Sequence, residues 1–127
     1  MAFSTDIYHL MTNDSSINSW IDGGIHYENL PENWDITQNW VVYSFNKTAQ
    51  ESCLGSNTAF MRYALLVKVI AHDTVTLETI SDRTVSYLNG QSHNGIMDIR
   101  FLNDSHSLDL DKNIYMNTMN FEALYSA

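Results

Sequence analysis

Between Phe60 and Ala71 the chain reads FMRYALLVKVIA, with an apolar residue at every second position: Met61, Tyr63, Leu65, Val67 and Val69. Only an extended chain places such a set on one face, because a helix would scatter it round the axis. The intervening positions are largely apolar too (Phe60, Ala64, Leu66, Ile70). A strand apolar on both sides belongs in the middle of a sheet, so this segment is expected to be the central strand. The same period recurs in three further places. WVVYSF alternates Val41, Tyr43 and Phe45 against Trp40, Val42 and Ser44; GIMDIRFL sets Met97, Ile99 and Phe101 against Asp98 and Arg100; IYMNTMNFEALY sets Met119, Phe121, Ala123 and Tyr125 against Asn120 and Glu122.

Elsewhere the period is helical. HDTVTLETISDRTVSYLNG spaces Leu77, Ile80, Thr84, Tyr87 and Leu88 along one face, with Asp73 or Thr74 as N-cap and Gly90 as the residue beyond the C-cap. AFSTDIYHLM is expected to be a shorter helix with Ser4 as N-cap and Phe3 and Tyr8 spaced as a hydrophobic staple, burying Ile7, Leu10 and Met11. NDSSINSWID offers another N-cap near Asp14 and a further turn or two, broken by Gly23-Gly24, after which IHYENL reads as a brief strand. NKTAQESCLGSNTA reads as a polar, turn-forming connection, and a second polar turn is expected before the last strand. Helix, strands, helix, strands without long crossovers predict an α+β fold: a largely antiparallel sheet with two main helices on one face. At 127 residues the chain is expected to be one domain, 1–127.

Composition narrows the function classes. Cys53 is the only cysteine, which excludes an intrachain disulfide and fits a reducing setting. No segment has the form of a signal peptide or a membrane span, so neither export nor a membrane partner is expected. Six basic against fifteen acidic side chains give a net charge of −9. Gripping nucleic acid needs a basic stripe, which this chain lacks, whereas an acidic wall that repels it is compatible with the charge. The acid is concentrated early: Asp6, Asp14, Asp22, Glu28, Glu32 and Asp35 all precede Lys47, the first basic residue.

The chemical motifs are weak. Asp109, Asp111 and Asn113 copy the first ligands of a calcium loop, but Ile114 stands where that loop needs glycine and Asn120 where it needs glutamate. The five histidines show no zinc spacing. Cys53 has no histidine or basic neighbour in sequence to activate it, and the glycines form no phosphate-binding pattern. Glu78 and Asp82, one helical turn apart, read as solvated charge. No catalytic set, cofactor or metal is expected.

IYHLMTNDSSINSWI, then GGIHYENLPENW with its Leu30-Pro31, then WVVYSF, resembles the tail-terminator (tail-completion) proteins of long-tailed bacteriophages. YALLVKVIAHDTVTLETISDRTVSYLNG looks like that family's central strand and second helix, and IYMNTMNFEAL like its closing strand. The resemblance spans nearly the whole chain as a pattern of lengths and apolar positions. It departs from the family's pattern in the long polar segment 46–57 and in its few basic residues. What it implies is a structural virion protein, assembled in the host cytoplasm and located in the tail or neck. Such a subunit forms a homohexameric ring that ends the tail tube, offers the head-joining surface, and meets a tube protein and a head-completion or neck protein while DNA passes through its channel.

Two surfaces follow as expectations. Opposite the core set lies a face too apolar for solvent and too charged for a second core, and a neighbouring subunit is its expected cover, with Trp34, Trp40, Val42, Phe60, Leu66 and Ile70 at the interface. Part of the early acid, with Asp22, Glu28, Glu32 and Asp35 as candidates, is expected to face the channel and keep DNA from adhering. Alternatives are a head-completion or neck stopper subunit, and a small α+β enzyme or ligand-binding domain with a cavity between sheet and helices.

Overall fold

The structure, a computed structural model, describes residues 3–13, 20–30, 32, 34–35, 37–52, 59–110 and 113–126. The turn or two expected from Asp14, the Pro31 bend, Cys53 and Asp111 lie outside them. The elements are α1 (Phe3–Thr12), β1 (Gly24–Tyr27), β2 (Trp40–Ser52), β3 (Ala59–Ala71), α2 (Thr74–Leu88), β4 (Ile96–Asp109) and β5 (Ile114–Ser126). They build an α+β fold around one five-stranded sheet of order β1-β2-β3-β5-β4. β1 runs parallel to β2, and the other neighbours are antiparallel. β3 is the central strand, as its two apolar faces require.

Register fixes which side chains share a face. Val41 opposes Val69, Tyr43 Val67 and Phe45 Leu65 across β2 and β3, while Leu65 opposes Phe121 and Val67 Met119 across β3 and β5. These form the main core together with Phe3, Ile7, Leu10 and Met11 of α1 and Leu77, Ile80 and Leu88 of α2. Both helices therefore cover the same face. They are tied to each other by the Tyr87 hydroxyl, which donates to the Leu10 carbonyl at 2.8 Å.

Local chemistry accounts for the boundaries of α2. Asp73 is the N-cap, its Oδ1 accepting from the Thr76 backbone N–H at 2.7 Å. Its Oδ2 accepts from the Thr76 hydroxyl at 2.8 Å, and these two bonds also hold its carboxyl below the usual range. At the other end Asn89 caps the helix, and Gly90 follows at φ +82°, the left-handed conformation that stops a helix most easily at glycine.

Five local expectations are revised. Ser4 lies inside α1, so it is not the cap. Phe3 stacks on Tyr63, with ring centroids 4.0 Å apart, while Tyr8 is half exposed, so no staple forms. β2 continues through the polar residues to Ser52, because its ladder with β3 persists past a bulge at Thr48. β4 likewise runs on through NDSHSLD to Asp109, where pairing with β5 satisfies the backbone and an edge strand leaves polar side chains in water. In β4 a bulge at Met97 breaks the simple alternation, so Ile96 and Ile99 point inward and Met97 is exposed.

Candidate assembly surface

The face away from the helices has two parts. At one end Trp40, Ile70 and Ile114 form a second small core, with Leu30, Trp34 and Met116 packed against it. The segment after β1 thus folds over that end of the sheet. Trp40 anchors it: its Nε1–H donates to the Asp35 carbonyl at 2.8 Å, and the Trp34 ring meets it edge-on with centroids 6.3 Å apart. The indole also lies directly on Gly23, where a Cβ would come within 2.3 Å of the ring. Only a residue without a side chain fits there, which gives the glycine pair of the sequence a packing reason as well as a conformational one.

The rest of this face is open. Val42, Phe60, Leu66 and Lys68 are half-buried, and Ala64 is exposed. Across it Glu122 Oε1 accepts from Arg62 Nη1 at 3.0 Å and from Arg100 Nη2 at 3.2 Å, a three-residue ion cluster spanning β3, β5 and β4. Asn120 donates to Asn103 at 2.9 Å beside it. In water such pairs contribute about 0–1 kcal/mol each. Half-buried apolar side chains on both sides of a charge cluster have the make-up of a mixed polar and apolar contact surface.

The six residues expected at an interface therefore divide. Trp40 and Ile70, 5% and 4% exposed, are already covered within the chain and support the surface from beneath. Trp34 is half-buried as part of their cover, while Val42, Phe60 and Leu66 line the open part.

The acidic residues divide as well. Asp6 is fully buried and accepts from the Tyr125 hydroxyl at 2.9 Å, Asn94 Nδ2 at 3.3 Å and the Gly95 N–H at 3.4 Å. It anchors α1 to the ends of β4 and β5 and faces no channel. Asp22 accepts from the Asn39 N–H at 2.6 Å, and Asp35 from the Thr37 N–H at 2.9 Å and hydroxyl at 2.7 Å. These bonds shape the 20–39 segment, and those to Thr37 hold the Asp35 carboxyl low. Glu28 and Glu32 are exposed, with Glu28 at a positive φ of 65° in the turn after β1. The charge on this loop therefore remains outward even though Asp22 and Asp35 also carry structural bonds.

A third feature was not foreseen from sequence. Between α2 and the far half of the β4–β5 hairpin runs an open groove of about 580 Å³, floored by Ser81, Tyr115 and Asn117. The signal was present in the polar NDSHSLD segment, whose extension as a strand creates one wall. Among the described residues no three His, Cys, Asp or Glu side chains gather as a metal site, and no helix is long and apolar enough to cross a membrane.

No protein-family model matches the chain, and no curated protein matches it in sequence. Its fold is that of a solved virion chain. The chain is similar to one from the "Virion of native gene transfer agent (GTA) particle", with a TM-score of 0.78, 14% identity, and coverage of 99% of this chain and 96% of that one. At that identity the likeness is one of fold. It extends over both chains almost end to end, so it includes the covering segment, both helices and the β4–β5 hairpin.

Proposed function

We propose that this chain is a non-enzymatic structural protein of a tailed virion or virion-like particle. Within that class we assign it to the ring that ends the tail tube and presents the surface to which the filled head joins. The observation that carries the class is the end-to-end fold likeness to a virion chain, 99% of one and 96% of the other. The finer role is supported by the order of sequence motifs that resembles tail terminators, from the first helix through the Leu30-Pro31 segment to the closing strand. The open sheet face is the surface we assign to the neighbouring subunit, with Leu66 and Val42 on one side of the Arg62–Glu122–Arg100 cluster and Phe60 on the other.

On this reading the whole chain is one ring-forming domain and the ring is a homohexamer. Tube protein lies on one side, a head-completion or neck protein on the other. Glu28 and Glu32, with Asp22 and Asp35 beside them in sequence, give part of the channel wall a charge that repels passing DNA. Deleting the gene from a particle-producing strain tests the role. The expected result is tails of uncontrolled length without heads; tails of normal length beside leaking, unjoined heads would instead assign the chain to head completion, and normal particles would refute both.

A further inference from the structure

Asparagine followed by glycine occurs twice in the chain, at Asn89-Gly90 and Asn94-Gly95. In such a pair the glycine nitrogen, which no side chain shields, can attack the preceding carboxamide and close a cyclic imide, at a rate set by how the two groups are held. The fold holds the two pairs in opposite ways. At the first, the Gly90 N–H donates to the Ile99 carbonyl at 2.6 Å, and Asn89 Oδ1 accepts from the Phe101 N–H at 3.0 Å. The nitrogen that would attack is committed to a neutral carbonyl, which carries no proton away, and the carboxamide is pinned to β4.

The second pair is the tip of a two-residue turn, closed by reciprocal backbone bonds of 2.9 and 2.8 Å between His93 and Ile96. Asn94 is exposed there, with φ at 51°, a left-handed conformation that asparagine adopts more readily than most residues. Beneath the turn lies the buried carboxylate of Asp6. Its Oδ2 accepts from the Gly95 N–H at 3.4 Å and its Oδ1 from Asn94 Nδ2 at 3.3 Å. One base therefore touches both the nitrogen that must lose a proton and the nitrogen that must leave with one. We propose that Asn94 is a self-modification site. Gly95 N bonds to Asn94 Cγ, Asp6 takes the proton of the Gly95 N–H and passes it to Nδ2, and the Cγ–Nδ2 bond breaks to release ammonia. Water then adds across one C–N bond of the imide, leaving aspartate or isoaspartate in place of Asn94, with nothing oxidised or reduced. Either product sets a second carboxylate where Asn94 donated to Asp6, and isoaspartate also lengthens the backbone of the turn. Like charge replaces a hydrogen bond at the point where α1 is tied to β4 and β5, so the modification loosens α1. The inference does not depend on the ring assignment.

The test is peptide mapping by mass spectrometry of the full chain incubated at neutral pH, folded and in guanidinium chloride, reading the exchange of amide for acid at each pair. In the denaturant the two pairs should convert at similar rates. In the folded chain Asn94 should convert faster than in the denaturant and Asn89 more slowly, with roughly tenfold or more between them. Asp6→Asn should slow conversion at Asn94 roughly tenfold. Should that variant fail to fold, the comparison of folded and unfolded wild type decides alone. Asn94→Asp, which copies one product, should unfold at a lower urea midpoint than the wild type. Conversion at Asn94 no faster in the folded chain than in the denaturant, or no faster than at Asn89, would overturn the proposal. An unchanged rate in folded Asp6→Asn would overturn the role of Asp6, and a wild-type midpoint in Asn94→Asp would overturn the loosening of α1.

Discussion

Asp6 is the charged residue with most at stake in the fold. Its carboxylate is fully buried, takes three donors from the β4–β5 end of the sheet, and sits in the first turn of α1, where the helix dipole also favours negative charge. In Tyr125→Phe the carboxylate loses its shortest hydrogen bond while remaining buried, at an expected cost of about 1–3 kcal/mol. Asp6→Ala instead removes the carboxylate that the Tyr125 hydroxyl, 2% exposed in the core, donates to, and frees Asn94 and the Gly95 N–H, costing about 2–4 kcal/mol. Because each single change removes the other group's partner in this bond, the double variant should cost less than the sum, with a coupling of roughly 1.5–3 kcal/mol, the range for hydrogen bonds to charged groups. Urea unfolding of the four proteins at neutral pH measures this directly. Singles that each cost under about 0.5 kcal/mol, or a double that is simply additive, would refute the claim that this buried bond anchors α1.

Further outcomes follow from other sites. Burial, and then the hydrogen bond and charge of Asp6, push Tyr125 up to about 12, and burial first pushes Tyr43 up to about 12, from an ordinary value of 10.0. Both are held neutral by the fold, so the stability they contribute is full below pH 10 and lost as pH rises from 10 to 12. Tyr125→Phe, though less stable at neutral pH, should lose less stability over that window in urea titrations. Asp73→Ala should cost about 1 kcal/mol through the lost cap of α2, read as a lowered urea midpoint without a changed slope. Gly23→Ala places a Cβ 2.3 Å from the Trp40 ring, and the indole must leave its seat; tryptophan fluorescence should shift and stability fall by about 1–3 kcal/mol. Gly95→Ala meets the Tyr125 ring at 2.6 Å and the Ser126 carbonyl at 2.8 Å, and should be at least as costly in the same assay.

Much of this fold was legible from periodicity alone. The alternation of β3 and β5, the Asp73 cap and the Gly90 stop are local signals that tertiary context did not overrule. Met97 was misplaced because a bulge adds one residue and reverses the facing of everything before it, which a period-two reading cannot register. The long β4 was missed because edge strands take polar residues, so NDSHSLD carries a loop's composition on a strand's backbone. The apolar second face was visible, but not its partial closure, since the chain supplies its own cover from Leu30 and Trp34 across a segment with little regular structure. The buried role of Asp6 was hidden for a related reason: its partner Tyr125 lies 119 residues away, and a helical acid in the first turn looks like ordinary solvated charge.

The central claim is that the open sheet face carries subunit contacts, and Leu66 at its centre tests it. Leu66 is half-buried, opposite Ser44 on β2 and Asn120 on β5, and its neighbours Leu65 and Val67 face the main core. The measurement is native mass spectrometry of the wild type and Leu66→Asp at matched concentration, with circular dichroism as the check on folding. A hexamer of the wild-type chain that becomes a folded monomer in Leu66→Asp is the predicted result. A wild type that stays monomeric at every concentration, or a variant that keeps the hexamer unchanged, would contradict it.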